Sequence, residues 1–131
     1  MIAIEGLKTI AVLELLTGVG LILFWIGFFT IGLAPKNPPQ GYMEYEHSFP
    51  LPDGLLAILM LVAGTLLLLN NPWGSHLSLV AAGALVFLGV LDFSFNIQNG
   101  VYKISKGDLI LNAFLNVWCV VFGVAIAVLI G

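Results

Sequence analysis

Asp92, Asn96 and Asn99 follow one another at intervals of four and three residues, and Asp108, Asn112 and Asn116 at intervals of four, within runs that are largely apolar. On an α-helix each trio occupies one face, so two stripes of carboxyl and amide groups are expected to point into a shared interior. A third polar group lies in GYMEYEHSFPLPDG, residues 41 to 54, where Glu44, Glu46, His47 and Asp53 stand among aromatics and prolines. Carboxylates and amides so placed suit a cation or a polar ligand. Glu44, Glu46 and His47 offer hard oxygen ligands and one imidazole to a divalent metal, although neither His-x3-His nor Cys-x2-Cys spacing is present. His47 oriented by a glutamate also suits proton transfer near neutral pH. Glu14 stands apart: it shares a helical face with Thr17, Gly18 and Trp25 and suits proton or cation binding on a translocation path.

The elements that must position these groups are membrane spans. Of 131 residues 60% are hydrophobic and 8% charged, and the mean hydropathy is +1.11, against roughly one-quarter charged residues in soluble domains. Four apolar runs approach the ~20 residues that cross a bilayer. The expected fold is an all-α integral membrane protein: four transmembrane helices at about 9–34, 53–70, 76–98 and 108–130, in an up-down-up-down bundle forming one domain over 1–131. A structured loop, 35–52, joins helices 1 and 2. The first run is longer than a secretory signal's apolar region, so it is expected to remain in the mature chain. Lys36, Lys103 and Lys106 fall on one side and Lys8 on the other, a positive-inside lean toward a cytoplasmic loop too small to fix sidedness.

Local punctuation supports these boundaries. Pro35, Pro38, Pro39, Pro50 and Pro52 are expected to keep the 35–52 segment from being helical, and Asp53 reads as the N-cap of the second helix. Asn70 to Ser75 reads as a tight turn with an interfacial tryptophan, making helices 2 and 3 an antiparallel hairpin. His76 beside it is read as interfacial. Gly123, Ala127 and Gly131, like Ser78 and Ala82, recur every fourth position and read as seams of close helix packing.

Composition also excludes functions. Cys119 is the single cysteine, which excludes intramolecular disulfide and dithiol chemistry. Four lysines and no arginine are too few for a nucleic-acid surface. The sequence names no cofactor.

An ionised residue at mid-membrane costs about 2.5 to 3.5 kcal/mol even on lenient scales and usually lines a cavity or pathway. Asp92 is therefore read either as a ligand group or as an acid bonded to an asparagine of the fourth helix, an interhelical bond worth ~0.6 to 2 kcal/mol. The leading expectation is a non-enzymatic protein of the lipid bilayer. Its intramembrane pocket, built from Asp92, Asn96, Asn99, Asn112 and Asn116 and capped by Glu44, Glu46 and His47, would bind a small cation, polar metabolite or lipid headgroup. Alternatives are a small dimeric proton-coupled transporter using Glu14 or Asp92, an intramembrane enzyme using His47 and the acids, and an accessory subunit of a larger membrane complex. Around Ala11-Val12-Leu13-Glu14 the chain resembles the small multidrug resistance exporters. The resemblance implies an antiparallel homodimer in which Glu14 of each copy binds a proton or a cationic drug. The long first loop and the segment Ala81 to Gly89 depart from that family's pattern.

Overall fold

The computed structural model describes residues 4–32 and 36–130. Within them the chain forms five α-helices: α1 Ile4–Thr30, α2 Tyr42–Glu46, α3 Pro50–Leu68, α4 Trp73–Gln98 and α5 Lys106–Ile130, with one 3-10 turn at Val101–Lys103. Four apolar stretches are long enough to cross a membrane: Glu5–Thr30 and Tyr42–Leu68, then Trp73–Gln98 and Lys106–Ile130. Their outer faces are apolar, with Leu16, Phe87, Phe114 and Val128 all exposed. Such a surface suits lipid and would be an association hazard in water.

The helix boundaries differ from expectation for local reasons. α1 ends at Thr30 because Gly32 takes a φ of 71°, a left-handed residue that closes the last turn; the expected end at residue 34 and the loop start at Pro35 lie outside the described residues. The prolines of the connecting segment do not keep it free of helix. A single helical turn, α2, begins after Gly41 (φ 83°), and Pro50 and Pro52 enter the first turn of α3, where the missing N–H groups would have had no intrahelical partner. Asp53 is accordingly not an N-cap. Its N–H donates to the Phe49 carbonyl at 2.8 Å and its side chain is released for another use.

α5 starts at Lys106 because Ser105 and Asp108 form a capping pair: Asp108 N–H donates to Ser105 Oγ at 3.1 Å and that hydroxyl donates to Asp108 Oδ2 at 2.7 Å. The Ser-x-x-Asp spacing is legible in the sequence. Removing the hydroxyl in Ser105→Ala is expected to cost about 1 kcal/mol, read as a lower melting temperature with unchanged helical circular dichroism.

The helices pack in chain order, α1 on α3, α3 on α4 and α4 on α5, whereas α1 and α5 do not pack closely. Small residues set the first and last of these pairs. A methyl group placed on Gly64 would sit 2.8 Å from the Ala11 carbonyl oxygen, and one on Gly123 would sit 2.8 Å from that of Ala82. The Gly123 and Ala82 seam is thus as expected. Ala127 is exposed, and Gly131 lies outside the described residues. One core joins Met60, Ala81, Leu85, Phe122 and Ile126. A second, aromatic cluster of Trp25, Phe28, Tyr42 and Val101, with Phe49 and Phe95 against it, pins α2 across the ends of α1 and α4.

Candidate functional site

Because α1 and α5 stay apart, a cavity of about 340 Å³ opens between them, walled by α1, α3, α4 and α5 and reached by α2. Most of its wall is apolar, with Leu13, Leu21, Leu56, Leu85 and Leu88 among the lining residues. Its polar groups are Thr17, Glu46, Asp53, Asp92, Asn112 and Asn116.

All of these polar groups except Glu46 have a hydrogen-bonded anchor. Trp25 Nε1 donates to Asp53 Oδ2 at 2.8 Å, tying α1 to α3. Tyr45 stacks on Phe95 with ring centroids 3.8 Å apart, and its hydroxyl donates to Asp92 Oδ1 at 3.3 Å. Asp92 is therefore bonded by the connecting segment and not by an asparagine of the last helix. Asn116, 4% exposed, donates from Nδ2 to the Tyr102 hydroxyl. Trp118 Nε1 reaches across the gap to Thr17 Oγ1 at 3.1 Å, linking α5 to α1 where their backbones do not meet.

Glu46 differs from these. It is 7% exposed, faces the cavity, and its carboxylate takes part in none of the side-chain hydrogen bonds among the described residues. It also lies within electrostatic reach of Asp53 and Asp92. Three carboxyl groups thus line one end of the cavity within electrostatic reach of one another, without gathering closely enough to hold a metal ion. Lys8, Lys36, Lys103 and Lys106 are all exposed, and none lines it.

The remaining predicted residues are placed elsewhere. Glu44 and His47 are exposed outside the cavity; His47 Nδ1 meets the Met43 carbonyl, and its ring lies against Phe28 and Phe29. The cause is helical geometry: positions two apart on a helix point roughly 200° from each other, so α2 turns Glu46 inward and Glu44 outward. Among the described residues no three His, Cys, Asp or Glu side chains gather as a metal ion requires. Asn99 is exposed and donates to the Phe95 carbonyl at 2.9 Å, finishing α4. Asp108 is occupied by its cap. Asn96 is fully buried with neither amide atom bonded, and it does not line the cavity.

Glu14 is also fully buried, with both oxygens unbonded. It faces Ser78 of α4, whose hydroxyl has no bond either. Neither residue lines the cavity, though Thr17, one turn beyond Glu14, does.

Sequence reasoning missed Tyr45, Tyr102 and Trp118 as the partners that hold the polar groups. A signal was present, since tyrosine and tryptophan in apolar helices carry one polar atom that seeks a partner when buried. No protein-family model, no curated protein and no solved structure matches the chain.

Proposed function

We propose that this chain is a four-span membrane protein, its helices crossing in alternation, that binds a ligand bearing a polar or cationic group in the cavity between α1 and α5. The polar part sits against Glu46, Asp53 and Asp92, with Asn112 and Asn116 on the facing wall. The segment 42–49 closes that end as a lid. The observation that carries the reading is the convergence of three carboxyl groups, one of them buried and unbonded, on a cavity that no lysine enters. The contact of α2 with residues at the end of α1 and the end of α4 favours alternation of the spans.

Ligand binding to the folded state raises stability by RT ln(1 + [L]/Kd), about 2.7 kcal/mol at a hundredfold Kd. Native mass spectrometry of gently purified protein is expected to show a retained amine or other cationic compound, and adding that compound back is expected to raise the melting temperature. In Asp92→Asn most of that rise disappears. A protein that retains nothing, and whose melting no cationic compound shifts, would refute the reading.

One observation favours a second reading, proton-coupled transport. Among the described residues, Glu14 is fully buried on the cavity's flank with only the Ser78 hydroxyl facing it, and no cation beside it, as suits a coupling carboxylate. Flux in proteoliposomes that vanishes in Glu14→Gln, with folding intact, would select transport over binding alone.

A further inference from the structure

We infer that the ligand is a single-chain cationic amphiphile, an alkylammonium in chemical class, and that it enters sideways from the bilayer between α1 and α5; this rests on the binding function proposed above. The cavity is long and chemically graded. Trp25, which holds Asp53, and Leu13 both line it, and at ~1.5 Å per residue they stand ~18 Å apart along α1. One end carries Glu46, Asp53 and Asp92, while the other is lined by Leu13, Leu16, Leu85 and Trp118. A water-soluble ion would leave that apolar wall uncovered. A carboxylate or phosphate head would meet like-charged groups at Glu46, Asp53 and Asp92, whereas an ammonium brings up to three N–H donors to groups that accept.

The rim decides the route. About 340 Å³ is roughly eleven water molecules' share of liquid volume, of the order of a headgroup with most of a dodecyl chain. A side gap toward the surroundings is present. Leu16 and Phe114 line the cavity yet are 62% and 63% exposed, so they form a rim facing the surroundings. Gly20 lies on the same rim, and a Cβ added there meets nothing within 4 Å.

Two substitutions test head and tail separately. Glu46→Gln removes charge without breaking a hydrogen bond. Gly20→Leu places a side chain on the rim at a position where its Cβ meets nothing within 4 Å, and Gly20→Ser is a milder version should leucine disturb folding. The full chain in phosphatidylcholine nanodiscs is titrated with dodecylammonium brominated on its chain, and quenching of Trp25 and Trp118, both cavity residues, is followed in a Trp73→Phe background. Saturable quenching is expected, with brominated dodecyl sulfate giving none that saturates. Each of Glu46→Gln and Gly20→Leu is expected to weaken the affinity by about tenfold or more, with unchanged circular dichroism. Equal binding of the sulfate, or affinity unchanged in both variants, would overturn the inference. If methylammonium raises the melting temperature while dodecylammonium neither quenches nor stabilises, the amphiphile is wrong and the polar pocket stands; if neither compound binds, both readings fall.

Discussion

Replacing Gly64 or Gly123 with leucine is expected to abolish accumulation of folded protein. At both positions even a methyl group would lie 2.8 Å from a backbone carbonyl oxygen of the neighbouring helix, closer than real Cβ atoms approach. A backbone oxygen cannot rotate away as a side chain can, so the two helices must separate along their whole seam. Overpacking in a tight core typically costs about 1 to 3 kcal/mol, and with an immovable partner and a four-carbon side chain the upper end is the floor. Much of a domain's net stability of about 5 to 15 kcal/mol is then consumed. The matched control is Gly83→Ala, where an added Cβ meets nothing within 4 Å and the gain in helix propensity approaches ~1 kcal/mol. Size-exclusion profiles of extracts in one detergent, with thermal melts of whichever variants accumulate, compare the three. Wild-type-like melting of Gly64→Leu and Gly123→Leu would show that the helices do not meet where described.

The second large effect is expected at Trp118. Its indole spans the gap between α5 and α1, donating to Thr17 at 3.1 Å and stacking near Phe114 and Phe122. Trp118→Ala removes that bridge, merges the indole's volume with the cavity and is expected to cost about 3 to 5 kcal/mol. Trp118→Phe keeps most of the packing and loses the hydrogen bond, about 0.5 to 1.5 kcal/mol. The ordering wild type, then phenylalanine, then alanine in melting temperature is the check. A Trp118→Ala variant as stable as Trp118→Phe would mean that the indole does not hold α1 and α5 together. The same variant is expected to hold the proposed amphiphile less tightly, since the indole that lines the apolar end of the cavity is missing.

How far the site could be read from the sequence differs residue by residue. Asp92, Asn112 and Asn116 were legible because helical periodicity puts them on inward faces, and they line the cavity. Asn96 shares that periodicity with Asp92, yet it is buried outside the lining, because a stripe is wider than the part of it that faces a particular gap. Glu44, Glu46 and His47 looked alike in a segment read as irregular; one turn of helix separated them. Asp53 was read as a cap because an acid preceding an apolar run usually is one, but Pro50 starts the helix earlier and leaves the carboxylate to Trp25. The cap that does form, Ser105 with Asp108, was equally present in the sequence.

Composition and periodicity alone determined that four long apolar helices form and that Asp92, Asn96, Asn112 and Asn116 turn away from the outer surface, because hydropathy and helical repeat are sums over neighbours in the chain. They could not determine that α1 and α5 stand apart. That outcome depends on how each helix is rotated about its axis and on which carbonyl each glycine admits, contacts between residues far apart in sequence. Only the tertiary arrangement therefore brought Glu46, Asp53 and Asp92 to one end of a cavity and left Glu44, His47 and Asn99 outside it.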